Sequence, residues 1–432
     1  MTAKAIDQGR RFREISIPRS GLLAALLAIA MASSSVVFSE PAPVDVLLAA
    51  FIAGLIVLGG ARFGPVILFN GAAWLILVGL GLIGTQLSPD FGDALKHQVV
   101  TLFLALGALA VASFIAAEPE RRATLVLNAY TLGVAAAAIA AYVGYFELVP
   151  GAYDLFTNYG RARGTFKDPN VFGAAIGPAV CFLVWQMLRR PIGQIWLPAG
   201  LCVLILPALI ISFSRGAWIS VAVSLAVVGV IALTRTRRSG DRMRLVTFAI
   251  AGCVGVATML AAVLQVPEVS DLMRERASLT QGYDEGPEGR FGGQMKGIDL
   301  AIEHPFGIGT FTFREVHHHE EVHNVYITQF HNAGWIGGFA FIASTLLTLA
   351  AGVMGSMRVG PLQGLFVIST AAFAGLVVEG LVIDSDHWRH LFIVMALVWG
   401  LSDAARIGRR PSGTKRQGDD EAGGFRFVRA RR

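Results

Sequence analysis

The sequence predicts an all-α polytopic membrane protein of about twelve transmembrane helices, with one large outer loop over residues 266–332. Three observations predict it. Of the 432 residues, 54% are hydrophobic and 15% charged, where a soluble domain carries about 25% charge. Apolar runs near the length that crosses a bilayer core as a helix, about 20 residues, recur along the chain. Lysine and arginine concentrate in alternate connections, as the positive-inside rule requires. A chain this apolar has too few polar groups to cover a soluble surface. A disordered chain, a disulfide scaffold and an ordinary soluble enzyme are thereby excluded.

The apolar runs fall at 21–38, 44–60, 66–86, 98–117, 124–148, 170–188, 195–213, 217–234, 245–265, 333–357, 363–383 and 389–405. They define a single transmembrane domain over 1–405, followed by a basic tail over 406–432. The first run follows Lys4, Arg10, Arg11, Arg13 and Arg19, in the manner of a signal peptide. Its apolar stretch is long for a cleavable signal and leads into Ser39-Glu40-Pro41, so it reads as an uncleaved helix. With the N terminus inside, 25 of the 36 lysines and arginines lie on the inner side, and 21 of the 30 acidic residues on the outer. Moving the register by one helix would put the Arg235–Arg244 cluster outside. Both ends are therefore expected in the cytoplasm. Cys181, Cys202 and Cys253 all lie within apolar runs and match no disulfide or metal spacing. No internal repeat points to a transporter built from two related halves.

The 11 basic residues left on the outer side need a reason, and three segments hold most of the interest. Gly160-Arg161-Ala162-Arg163-Gly164-Thr165-Phe166-Lys167-Asp168-Pro169-Asn170 places three cations directly before a helix start. Free N–H groups and the helix dipole there favour anions. This fits a phosphate site, or headgroup anchoring and an Asp168 salt bridge. In Ser212-Phe213-Ser214-Arg215-Gly216 the turn between spans is so short that Arg215 must lie near the outer edge of the hydrocarbon. A charge there needs a partner or a wet cavity. Guanidinium suits a bidentate phosphate contact, or it snorkels to lipid phosphate. Gly289-Arg290 opens a stretch with Phe291, Met295, Ile298 and Ile302 at helical spacing, closed by His304-Pro305. This predicts an amphipathic helix that lies on the membrane or caps a cavity, with Arg290 at its N terminus.

The run His317, His318, His319, Glu320, Glu321, His323 has no zinc spacing, because adjacent side chains diverge. No metal site is expected, and His317 to His319 read as a solvated loop. His323 precedes Asn324, nine residues, and then Gly334 and Gly337 at the start of a span. Glycine permits close packing, and histidine is the side chain best poised to move a proton near neutral pH.

His323-Asn324, nine residues, then Gly334-x-x-Gly337 resembles the His-Asn/Ser/Gln, x9, Gly-x-x-Gly signature of the O-antigen ligase and polymerase superfamily, which includes bacterial protein O-oligosaccharyltransferases. The blocks Gly164–Gly173, Ser214-Arg215-Gly216, Gly289-Arg290 and His304-Pro305-Phe306-Gly307-Ile308-Gly309 are similar to others of that superfamily, in the same order. The resemblance covers about 149–340 in motif. It implies a GT-C-like fold with a large periplasmic loop. It also implies inner-membrane, metal-independent and cofactor-free transfer of a glycan from undecaprenyl diphosphate to an acceptor hydroxyl, with inversion. Under it, Arg215, Arg290 and Arg163 bind the diphosphate and His323 is the base, with Asn324, Gly334 and Gly337 as motif support. The acceptor is lipid A core for a ligase, placed first, a second lipid-linked glycan for a polymerase, or a protein hydroxyl. Membrane lipids are expected partners and nucleic acid is not. A transporter of anionic lipid or sugar is the alternative of a different class, disfavoured because most spans lack charge and the strongest cations sit at the outer face.

Overall fold

The computed structural model describes residues 19–236, 239–265, 273, 286 and 289–407. The expected basic N-terminal segment, nearly all of the tail, and most of 266–288 lie outside the described residues.

Every predicted span has a helix. These are α1 (Arg19–Ser33), α2 (Pro43–Val57), α3 (Pro65–Gly84), α4 (Phe91–Ala117), α5 (Pro119–Tyr145), and, after the five-residue α6 (Ala152–Phe156), α7 (Pro169–Arg189). They continue with α8 (Trp196–Ile211), α9 (Arg215–Arg235), α10 (Ser239–Val263) and α11 (Arg290–Glu303), and close with α12 (Val325–Ser356), α13 (Gln363–Glu379) and α14 (Arg389–Ile407). Among the described residues the strands are a two-residue pair, β1 (Thr157–Asn158) and β2 (Arg161–Ala162). Seven helices among the described residues are long and apolar enough to cross a membrane, and α1, α2, α8 and α13 are shorter apolar helices. Two spans end four or more residues earlier than the hydropathy predicts. The run 21–38 yields a helix only to Ser33, because Ser33 and Ser34 turn their hydroxyls onto the carbonyls of Ala30 and Met31, the local competition that ends helices. The run 363–383 ends at Glu379, and the Gly380 carbonyl instead accepts the Val325 N–H at 2.9 Å.

The helices pair as α12 on α3, α14 on α4, α13 on α9 and α1 on α5. Between lipid-compatible helices, packing and polar contacts replace the hydrophobic drive. Ser344 donates to Asn70 at 2.8 Å, Trp399 Nε1 to Thr348 at 2.8 Å, and Tyr130 OH to the Ala175 carbonyl at 2.6 Å. Two charged contacts fix helix ends. Asp403 accepts the Val66 and Ile67 N–H groups at 2.9 and 3.2 Å, capping α3, and Arg389 forks onto Asp45 at 2.8 and 2.6 Å.

Alternate connections meet at one end, as a serpentine chain demands. Val37 N–H donates to the Thr165 carbonyl and Lys167 pairs with Glu40, joining 34–42 to 157–168. Arg161 donates to the Ser212 carbonyl at 2.9 Å, and Asn324 Nδ2 to that of Leu381 at 3.1 Å. This is the end that the charge count places outside.

The helix α11 is amphipathic as expected, with an unusual orientation. It buries Gly293 and Gly297 and leaves Phe291, Met295, Ile298 and Ile302 exposed. The glycines let the helix approach His318, Val322, Ile327 and His331, and the apolar stripe faces away. Trp335 Nε1 of α12 donates to the Ala301 carbonyl at 2.7 Å, tying the end of α11 to α12.

Candidate active site

The signature residues do distinct jobs at the start of α12. Asn324 is its N-cap. Its Oδ1 accepts the Tyr326 and Ile327 N–H groups at 3.1 and 3.3 Å, while Nδ2 ties the cap to the 380–388 loop. A side-chain acceptor is what a helix start needs. The predicted span from 333 is one helix from Val325, interrupted at Gly334, where φ is 65° and ψ −170°. The freed backbone groups are met by the loop 304–309. Trp335 N–H donates to the Pro305 carbonyl, and the Ile308 and Gly309 N–H groups to that of His331. A Cβ at Gly334 would stand 2.6 Å from the Pro305 oxygen, and one at Gly307 2.5 Å from that of His331. Gly337 leaves room for Ala333 across the break. The two glycines thus serve a backbone break and the docking of the His-Pro loop, rather than span-to-span packing alone. Gly334→Ala is expected to destabilise the fold by about 1–3 kcal/mol, the usual cost of a non-glycine residue in such a region. Thermal unfolding in detergent reads this out, and an unchanged midpoint would show that the break tolerates a side chain.

His323 precedes the cap at φ 52°. Its N–H donates to Asp384 Oδ2 at 3.1 Å, its Nδ1 lies 3.7 Å from the same oxygen, and its Nε2 lies 3.7 Å from Glu320 Oε2. Its carbonyl accepts Gln294 of α11 at 3.0 Å. Burial and then the field of the Arg290 guanidinium push the ring's pKa below 6.5. Arg290 and His323, some thirty residues apart in sequence, are therefore brought together. Asp168, at the end of the 149–169 loop, also acts on the ring.

Arg215 is the first residue of α9, after the N-cap Ser214 that accepts the Ala217 N–H at 3.3 Å. It connects to the same region through two contacts. Gly216 lies against Glu379 at the end of α13, and Gly380 binds the first turn of α12. Arg163 is turned to its own loop, donating to the carbonyls of Lys167, Leu155 and Asp154 at 3.3, 3.2 and 3.5 Å. Arg161 stands beside the Ser212–Arg215 turn instead, and also donates to Asn170 at 2.7 Å.

Behind Asp384 a cavity opens, lined among others by His97, Phe311, Phe313, Glu321, Thr328 and Asp386. Burial, with the charges of Asp384 and Asp386, pushes the Glu321 carboxyl up to about 7. Burial likewise raises Asp384 to about 6, against the Thr328 hydrogen bond. For Asp386 burial is outweighed by His97, which donates at 3.2 Å, with His387 and Gln329 adding to it, and the carboxyl stays below its ordinary range. Sequence reasoning passed over Asp384, Asp386 and His97, and weighed Glu321 only as part of the His-rich run. The signal available was the polar run Asp384-Ser385-Asp386-His387 between two spans, where ionisable groups are costly.

His97, Asp386 and His387 bring three ligand atoms within 4.8 Å of one another. The two rings are stacked at 3.9 Å and 19°, and His387 Nε2 is paired with Thr101 at 2.8 Å. Lone pairs of cofacial rings run side by side instead of converging, so the cluster is arranged as a hydrogen-bonded stack. In the His run, His318 departs from the expected solvated loop. It is buried against Phe313, in the slot that Gly293 leaves, and accepts the Glu320 N–H at 3.1 Å. His319 is exposed as expected.

Fold and site together define a helical polytopic membrane protein in which His97, Glu321, His323, Asp384 and Asp386 gather at one end of the bundle. Residues 200–342 match the family described as O-antigen ligase. The match covers 143 of the 432 residues, and this likeness supports the O-antigen ligase and polymerase superfamily. It spans Arg215, Arg290, His323 and both signature glycines, while Arg163 and Asp384 fall outside it. No curated protein and no solved structure matches the chain.

Proposed function

We propose that the protein is an inner-membrane glycosyltransferase that moves a glycan from undecaprenyl diphosphate to an acceptor hydroxyl at the periplasmic face, and that it is an O-antigen ligase whose acceptor is lipid A core. The observation that carries this reading is the docking of α11, which Arg290 opens, onto His323 through Gln294, at the start of the signature helix. In the proposed step the acceptor oxygen attacks the anomeric carbon and its proton passes to His323. The bond from that carbon to the diphosphate oxygen breaks, and the lipid diphosphate leaves with the charge. Direct displacement inverts the carbon. The ring is depressed in pKa, so it is neutral and able to accept a proton at neutral pH. Arg215 and Arg290 meet the charge developing on the diphosphate. Arg163 serves that charge only by releasing its loop carbonyls.

Purified protein in lipid, given a lipid-diphosphate-linked glycan and lipid A core, is expected to form the joined product. Transfer that survives His323→Ala would remove the reading, and loss of flux in the same variant would favour a transporter. We expect full activity in excess chelator, and a strict divalent-metal requirement would contradict the step as written. The glycan profile of a deletion strain separates ligase from polymerase. Core without O-chains, beside accumulated lipid-linked polymer, indicates the ligase, and core bearing one repeat indicates the polymerase.

A further inference from the structure

We infer that Asp384 is the positioning residue of His323, holding the ring with its proton on Nδ1 and its lone pair on Nε2. The inference rests on the base role proposed above. One carboxylate oxygen, Asp384 Oδ2, takes the His323 backbone N–H at 3.1 Å and stands 3.7 Å from Nδ1. The other, Oδ1, is fixed by the Thr328 hydroxyl at 2.6 Å, one turn into α12. The carboxylate therefore cannot swing away from the ring without breaking both hydrogen bonds. Its loop is itself tied to α12 and α11, through Val325 N–H to Gly380, Asn324 to Leu381, and Gln294 to both Leu381 and His323. His323 has a positive φ, uncommon among non-glycine residues, and both its peptide groups are bound there, the N–H to Asp384 and the carbonyl by Gln294.

The charged and titratable groups facing the ring are Asp384, Glu320, Arg290, His318 and Asp168. Glu320 lies as far from Nε2 as Asp384 does from Nδ1, but its side chain is 47% exposed against 20% for Asp384. Water screens the first more than the second. The protonated nitrogen therefore faces Asp384, and Nε2 is left for the acceptor hydroxyl. When the ring takes the proton, the carboxylate at Nδ1 offsets the opposing field of Arg290. An orienting carboxylate of this kind fixes the tautomer and supports the imidazolium that forms.

The test uses the full-length protein in lipid. Asp384→Asn is expected to lower kcat about 100-fold with little change in KM for the donor. It is also expected to move the acid limb of the pH profile to lower pH, because the ring loses a partner for its charged form. Asp384→Glu restores part of kcat. Thr328→Val, which frees Oδ1, gives a smaller loss in the same direction and serves if Asp384→Asn does not fold. The imidazole ¹⁵N shifts of His323 give a readout independent of transfer. They are expected to show Nδ1 protonated in the wild type and a mixture of tautomers in Asp384→Asn. A wild-type ring protonated on Nε2 would overturn the inference, as would a folded Asp384→Asn protein with wild-type kcat and acid limb. Activity that persists in His323→Ala instead removes the base role, and the ¹⁵N tautomer still decides whether Asp384 orients the ring.

Discussion

Replacing His323 with alanine is expected to cut transfer by about 100- to 10,000-fold, the range a positioned general base supplies, while the fold and donor binding persist. The fold should survive because α12 is capped by Asn324 and its first turn is anchored on Gly380, neither of which uses the imidazole. The pH dependence follows from the sign of the shift. The active ring is neutral, and its pKa is held below 6.5 by burial and Arg290. Activity should therefore be full through neutral pH and fall as the pH drops below 6.5, where the ring takes up a proton and Asp384, raised to about 6, loses its charge. A pH–rate profile checks this, and an acid limb above 6.5 would mean that another group sets it.

Arg290→Ala and Arg215→Ala are each expected to lower turnover by about 100- to 1,000-fold, the cost of removing one preorganised partner from a developing negative charge. His317→Ala and His319→Ala are expected to leave it within a few-fold. The contrast matters because all four residues lie in connections between α-helices or at the starts of α-helices. His317 offers its carbonyl to Lys296, and His319 is exposed, so neither side chain is committed to the site. Single-turnover rates with a lipid-diphosphate-linked donor separate the groups, and equal losses across all four would count against the diphosphate role.

Much of the fold was legible because hydropathy is a local property. All twelve apolar runs became helices, and the largest shortfalls are at α1, which local serine hydroxyls end, and at α13, after which Gly380 gives its carbonyl to α12. The amphipathic period of 290–303 was also legible, but its orientation was not. The sequence pattern does not say that glycines would be the buried face, since that depends on His318 and Ile327 arriving from elsewhere. In the site, His323, Asn324, Gly334 and Gly337 announce themselves by spacing. Asp384 does not, because it reaches His323 across 61 positions. Arg161 and Arg163 are alike in sequence, and the β1–β2 turn gives one to the Ser212 carbonyl and the other to its own loop.

By itself, the sequence determined the class of protein, the order of the spans, the segregation of charge between two sides, and the motif around the candidate base. These are set by bilayer thickness, by the cost of placing charge in hydrocarbon, and by residue spacing along one chain. Only the tertiary structure decided which cation stands near His323, which carboxylate touches it, and why the signature needs its glycines. Those depend on backbones and side chains from distant segments meeting within a few ångströms, as the break at Gly334 meets the His-Pro loop.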